Sequence, residues 1–109
     1  MKITTSTISD KLAEVYDDFA NEFGFGPCGA YAALKREQGW GDVAVCQADH
    51  GDRYPFSHYI IIDGDGIIDL ANPFDAPLFY SEIEILDTDE MPELCDDDDA
   101  IAWLRERNI

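Results

Sequence analysis

The chain is expected to fold as an α+β domain in which helices at the N-terminal end pack on an antiparallel sheet. Helical spacing of apolar residues comes first, and after Gly39-Trp40-Gly41 the apolar period changes to two. Hydrophobic residues make up 46% of the 109 residues, which is enough for a modest core and argues against disorder. No linker interrupts the pattern, so a single domain over residues 1–109 is predicted.

Three segments carry helix signals. In the first, apolar residues from Ile8 to Phe23 share one face, and Gly24-Phe25-Gly26-Pro27 then ends the helix. The second favours a helix through its alanines and stops at Gly39. The predicted helices are 8–23, capped by Ser9 or Thr7; 28–38; and a last one capped by Asp97 or Asp98 and running through Arg107.

Strand patterns fill the region between the second and third helices. Asp63-Gly64-Asp65-Gly66 is a strong turn signal between two β-branched runs, so these runs should form a hairpin. The predicted strands are Val43–Cys46, 57–62, 67–70 and Phe79–Leu86, the last with Glu82 and Glu84 turned outward. Residues 50–52 and 87–99 are predicted to be loops.

Charge limits the classes of partner. The net charge is −17, from 24 acidic residues against seven Lys and Arg, and contacts to phosphates need basic residues. We expect no binding to nucleic acid or to anionic membrane. A basic partner protein is compatible with this charge, and so is imitation of nucleic acid, although solubility is the simplest explanation. The oligomeric state is left open.

Cysteine usage and hydropathy bear on location. The three cysteines match no zinc or disulfide spacing, which favours a reduced protein inside the cell. The start of the chain has no apolar signal core, and no later run approaches the roughly 20 residues of a membrane helix. A cytoplasmic location is therefore expected.

Cys28 has the sequence context of a reactive thiol. It stands where a Gly-Pro turn enters the second helix, and the free N–H groups and dipole of a helix N-terminus stabilise a thiolate. A small buried residue at a helix start is the alternative explanation.

His58 and Asp69 are brought together by the hairpin. If Gly64 and Asp65 form a two-residue loop, Asp69 lies diagonal to His58 on the same face of the sheet. With a three-residue loop, Asn72 lies opposite His58 instead. Either residue could orient the imidazole. We also expect the face carrying His58, Ile60 and Ile62 to pack toward the helix of Cys28, although both faces of this strand are apolar.

These residues carry a resemblance to a known superfamily. Cys28-Gly29-Ala30-Tyr31-Ala32 resembles the papain-type Cys-Trp-Ala-Phe motif. The segment from His58 to Asp69 resembles the His-strand-turn-strand-Asp block of transglutaminase-like proteins and of small phage and bacterial papain-like proteins. The similarity covers about residues 26–72 and implies a papain-like fold.

The resemblance also implies an activity, namely acyl transfer on an amide or ester, as in a peptidase-like cysteine hydrolase. Cys28 would be the nucleophile, His58 the general base and Asp69 the orienting acid, with the backbone N–H of Cys28 as one oxyanion donor. Papain-type enzymes place a Gln shortly before the Cys, and Asn21 is the candidate for that role here. The second hypothesis is an inactive binding or inhibitory module on the same fold, which engages a basic partner through its acidic surface.

No cofactor or metal is expected. Asp63-Gly64-Asp65-Gly66 lacks the further ligands of a calcium loop, so a hairpin turn is favoured. Asp49, His50 and Asp52 offer one imidazole and two acids, which do not make a closed metal site.

Overall fold

The computed structural model describes residues 2–6, 8–49, 55–72, 78–87, 89 and 97–109. Their architecture is α+β, as predicted, with helices packed on a sheet. The elements in chain order are β1 (Lys2–Ser6), α1 (Asp10–Phe23), α2 (Cys28–Glu37), β2 (Asp42–Asp49), β3 (Phe56–Asp63), β4 (Gly66–Asp69), β5 (Phe79–Ile85) and α3 (Asp98–Glu106).

The five strands form one sheet in the order β1-β4-β3-β2-β5. Strands β2 to β5 pair antiparallel, as expected of the hairpin and its neighbours. Strand β1 was not predicted, and it pairs parallel with β4 at one edge. Ile3, Thr4 and Thr5 are β-branched, so a strand signal was present there, but a short polar segment gives no indication of which edge it will join.

The helix ends follow local chemistry. Ser9 caps α1 by accepting a hydrogen bond from the Leu12 N–H, and Gly24 ends this helix in the left-handed conformation with φ of 79°. Asp97 caps α3 by accepting from the Ala100 N–H. Thr7 lies outside the described residues.

The hairpin has the two-residue loop. Asp63 pairs with Gly66 and Ile61 with Ile68, so only Gly64 and Asp65 lie between the strands, and Gly64 has φ of 61°. Continuing this register places Ile60 opposite Asp69. The three-residue alternative, which would have put Asn72 opposite His58, is wrong.

Both faces of the sheet are buried. The larger core lies between the helices and the face that carries Val43, Tyr59, Ile61 and Ile68. The opposite face forms a smaller cluster whose buried members are Ala44, Cys46, Ile60, Ile62 and Ile67. Our expectation that the helices cover the His58 face is therefore wrong, because alternation cannot rank two apolar faces.

Several predicted loops fall outside the described residues: 50–52 completely, and 87–99 except for residues 87, 89 and 97–99. Within the described ranges, no helix combines the length and apolar character that crossing a membrane requires.

Candidate functional site

Cys28 begins α2, as the sequence predicted, and its side chain is half-buried against the larger core. Pro27 occupies the cap position and has no side chain that can accept a hydrogen bond. The first intrahelical bond runs from the Tyr31 N–H to the Pro27 carbonyl at 2.8 Å. The N–H groups of Cys28, Gly29 and Ala30 thus belong to the uncapped first turn, where a negative charge is stabilised.

His58 joins the other two candidates. Its ring is 3% exposed, and Nε2 lies 2.8 Å from Asp69 Oδ2. The Cys28 thiol lies near enough to the ring to contribute to the raised pKa of His58. Cys28, His58 and Asp69 therefore lie together, with Asp69 hydrogen-bonded to the ring and Cys28 close enough to it to affect the pKa of His58.

The electrostatics of this line favour a protonated ring. Burial alone would lower the pKa of His58, but the hydrogen bonds to Asp69 and Cys28, together with the negative charges of both, outweigh burial and raise the pKa from 6.5 to about 9. A ring that holds its proton can act as a general acid toward a group bound beside the sulfur.

Asp69 is fixed by two further donors. The Ala71 N–H donates to Oδ1 at 3.1 Å, and the Tyr80 hydroxyl donates to Oδ2 at 2.6 Å. Asp69 is 1% exposed, and these bonds satisfy a carboxylate that would be costly to bury alone. The carboxylate can therefore hold the imidazole in one orientation and one tautomer.

Sequence reasoning missed Tyr80 because of a backbone irregularity. Strict alternation puts Tyr80 on the same side as Glu82 and Glu84, which were predicted to face outward. Glu82 instead has φ of 51°, and the β2–β5 register shifts between Val45 and Gln47. Tyr80 and Ile83 consequently pack on the same buried cluster despite their odd spacing.

Phe56 covers the imidazole from within the same strand. It lies two residues before His58, so the two side chains share a face, and their ring centroids are 5.6 Å apart in an edge-on arrangement. An apolar ring here limits the access of water to the buried hydrogen bonds of the histidine.

A second cysteine lies close to the same histidine. Cys46 is the cross-strand neighbour of His58, and it is almost completely buried. Burial, then the negative charges of Asp69 and Cys28, raise the pKa of the Cys46 thiol to about 12. Cys46 therefore stays a neutral thiol under all ordinary conditions. Cys95 lies outside the described residues.

The two alternative residues have different positions. Asn72 is fully buried three residues beyond Asp69, but the ring bond is made by Asp69. Asn21 is exposed and lies about 180° around α1 from buried Leu12, by the 100° turn per residue of a helix. The oxyanion role of Asn21 stays a prediction.

In the described part of the chain, no group of three His, Cys, Asp or Glu side chains is placed to bind a metal ion. Asp63 and Asp65 lie at the hairpin turn. His50 and Asp52 are outside the described residues.

A small cavity beside Cys28 has largely apolar walls. It is lined by residues from both faces of β3 and β4, among them Ile60 and Asp69 on one side and Ile61 and Ile68 on the other. In such surroundings, charges interact more strongly than in water. The arrangement can hold a thiolate, keep a proton within reach of it, and present N–H groups to a developing negative charge. The chain matches no protein-family model, no curated protein and no solved structure.

Proposed function

We propose that the protein is a small cysteine hydrolase or acyl transferase with a papain-like arrangement, acting on an amide or ester. The observation that carries the proposal is the buried His58 ring, which bonds the Asp69 carboxylate at 2.8 Å and whose pKa is raised in part by the sulfur of a nearby helix-initiating cysteine. A nucleophile, a base and a group that orients the base are the parts that acyl transfer requires.

In the acylation step, the Cys28 thiolate attacks the carbonyl carbon of the substrate and forms a carbon–sulfur bond, while the carbonyl electron pair moves onto oxygen. When the tetrahedral intermediate collapses, the His58 imidazolium gives its proton to the leaving amine or alkoxide. The product of this step is a thioester on Cys28 with a neutral His58.

In the deacylation step, neutral His58 takes a proton from water or from an acceptor amine, which attacks the thioester. Collapse of the second tetrahedral intermediate breaks the carbon–sulfur bond, releases the acid or the new amide, and regenerates the thiolate beside the protonated ring. Asp69 keeps its hydrogen bond to Nε2 in both steps, so Nδ1 faces the reacting atoms.

The first test uses an activated ester, 4-nitrophenyl acetate, with the purified chain. A rapid burst of 4-nitrophenolate is expected, with one acetyl group on the peptide that contains Cys28, found by mass spectrometry. Adding glycinamide should produce acetylglycinamide if the thioester prefers an amine to water.

The matched variants are Cys28→Ser and Cys46→Ala. The burst should disappear in Cys28→Ser and persist in Cys46→Ala, because the Cys46 thiol is buried and neutral. A burst that survives in Cys28→Ser would reject the proposed function. A reduced thiol is required for this chemistry, and Cys28 and Cys46 are both free, so we also propose a reducing, cytoplasmic setting.

A second candidate function rests on the surface of α1. Its exposed positions include five carboxylates in 14 residues: Asp10, Glu14, Asp17, Asp18 and Glu22. Together with the net charge of −17, this face supports an acidic binding or inhibitory module that engages a basic partner protein.

The reactivity of the Cys28 thiol distinguishes the two candidate functions. Iodoacetamide should modify Cys28 rapidly and in a pH-dependent way if the protein is an enzyme. An inert Cys28, combined with salt-sensitive binding to a basic protein such as a histone, would favour the module. Binding to DNA at physiological salt is not expected under either function.

A further inference from the structure

Tyr16 places a hydroxyl group next to the entrance of α2. It lies on the partly buried side of α1, and a β-carbon added at Gly26 would come within 3.1 Å of its hydroxyl oxygen. Gly26 is separated from Cys28 only by Pro27, whose backbone is already helical. The Tyr16 hydroxyl therefore lies against the turn that precedes Cys28. Glycine at position 26 leaves room for this hydroxyl.

The Tyr16 hydroxyl keeps its proton, and it lies close enough to Cys28 for the charge of that residue to affect its pKa. Burial, then the negative charges of Cys28 and Asp17, raise the pKa of Tyr16. Within the described ranges the Tyr16 hydroxyl makes no hydrogen bond, whereas the comparable hydroxyl of Tyr31 donates to Ser9 Oγ. The proton of Tyr16 is thus available to a group that binds beside Cys28.

An oxyanion needs such a donor. The first-turn N–H groups of α2 supply one side of the oxyanion site, and acyl transfer normally uses a second donor. Asn21, the candidate that the papain resemblance suggests, is exposed and lies about 140° around α1 from Tyr16, by the 100° turn per residue of a helix. Tyr16 falls on the apolar face of α1 in the sequence, and spacing cannot distinguish a core tyrosine from one whose hydroxyl reaches a site.

We propose that Tyr16 is the second oxyanion donor of this site, a proposal that rests on the acyl-transfer function above. As the sulfur attacks and the carbonyl electron pair moves to oxygen, the Tyr16 O–H and the Cys28 N–H both donate hydrogen bonds to that oxygen. No proton is transferred from Tyr16, and the bonds weaken when the carbonyl re-forms.

The test compares two reactions at the same sulfur in wild type and Tyr16→Phe. Acylation by 4-nitrophenyl acetate passes through an oxyanion, whereas alkylation by iodoacetamide is a direct displacement that forms none. Tyr16→Phe should slow acylation by about 10²-fold, the usual effect of removing one oxyanion donor, and change alkylation less than about threefold. Tyr31→Phe, whose hydroxyl lies at the cap of α1, is the matched control and should change neither rate.

A second variant tests the position of the hydroxyl. In Gly26→Ala the new methyl group would crowd the Tyr16 oxygen, and Gly26 has no positive φ that would strain alanine. Acylation should fall several-fold in Gly26→Ala, and this loss should vanish when Tyr16→Phe is already present, since the methyl group acts through the hydroxyl.

The outcomes distinguish the two proposals. Equal losses of acylation and alkylation in Tyr16→Phe, or no loss of acylation, would overturn the role of Tyr16 while leaving acyl transfer by Cys28 intact. A loss in Asn21→Ala with none in Tyr16→Phe would also overturn it. Absence of any Cys28-dependent burst in the wild type would reject the proposed function itself.

Discussion

Cys28 and Cys46 are two identical thiols beside one histidine, in opposite environments. Cys28 begins a helix, is half-buried and contributes to the raised pKa of His58. Cys46 sits in the middle of β2 as the direct cross-strand neighbour of His58 and is buried. Burial raises the pKa of Cys46 to about 12, because no helix end or ring proton compensates for it.

The difference shows that closeness to a histidine is not enough to activate a thiol. What separates the two residues is their burial and the uncapped N–H groups of α2, which lie beside Cys28 alone. The Cys46 backbone belongs to a strand paired with β3, so no helix N-terminus lies at its own position in the chain.

The largest effect should be seen in direct competition between these thiols. In native protein treated with limiting iodoacetamide, Cys28 should be labelled about 10³-fold faster than Cys46, because the latter is both buried and neutral. Peptide mass spectrometry gives the ratio from one sample. In denaturant the two labelling rates should become similar. A ratio near one in the native protein would contradict the proposed difference in reactivity between Cys28 and Cys46.

Removing the His58 ring should make the alkylation rate of Cys28 more like that of Cys46. In His58→Gln, which keeps most of the side-chain volume, alkylation of Cys28 near pH 7 should slow by about 10²-fold, within the range of a positioned acid–base group. Stopped-flow or quenched labelling from pH 5 to 9 gives the profile. Cys46 in the same samples is the internal control. An unchanged pH profile of Cys28 alkylation would mean that the His58 ring does not affect the reactivity of the sulfur.

The pH dependence of the free energy of unfolding should reflect the protonation of the His58 ring. The pKa of His58 is raised from 6.5 to about 9, so its contribution is fully present below about pH 6.5 and is lost as the pH rises through 9. At about 1.4 kcal/mol per pKa unit, this corresponds to about 3 kcal/mol of unfolding free energy.

Urea unfolding of wild type and His58→Gln at pH 6 and pH 10 measures this contribution. The advantage of the wild type should be larger at pH 6, and the difference cancels the titration of unrelated groups. Asp69→Asn should remove most of the pH dependence, since the carboxylate gives the largest favourable contribution to the raised pKa. A wild-type advantage that is constant or grows with pH would contradict the assignment.

The smallest effect concerns the support of Asp69. Tyr80→Phe removes the 2.6 Å hydrogen bond to Oδ2, and a bond to a charged group contributes about 1.5–3 kcal/mol. We expect a stability loss near the lower value and a Cys28 alkylation rate reduced less than about tenfold, because His58 and Ala71 still hold the carboxylate. Tyr31→Phe loses only a 3.4 Å bond to Ser9, so a larger destabilisation there would argue against a special role for Tyr80.

Local chemistry made much of the fold and the site predictable. Ser9 and Asp97 cap their helices, Gly24 ends α1, and the Asp-Gly turn sets a two-residue loop. These features depend on residues within four positions of each other, where backbone sterics and side-chain caps decide the outcome. The same local signals put Cys28 at a helix start and Asp69 on the His58 face of the hairpin.

Features that depend on distant segments were not predictable. The parallel pairing of β1 with β4 joins residues more than 60 positions apart, and nothing in Lys2–Ser6 names its partner. The bulge at Glu82 turns Tyr80 inward against strict alternation. The choice of sheet face for the helices compares two apolar surfaces that composition cannot rank.

By itself, therefore, the sequence determined the helices, the hairpin and three members of the candidate site, because caps, turns and alternation act within a few residues. Only the tertiary structure decided which groups surround those three: Tyr80 on the carboxylate, Phe56 against the ring, Tyr16 beside the thiol entrance, and Cys46 across from the histidine. The physical reason is that these neighbours are set by packing between elements, and packing depends on the shape of the whole core rather than on any local run of residues.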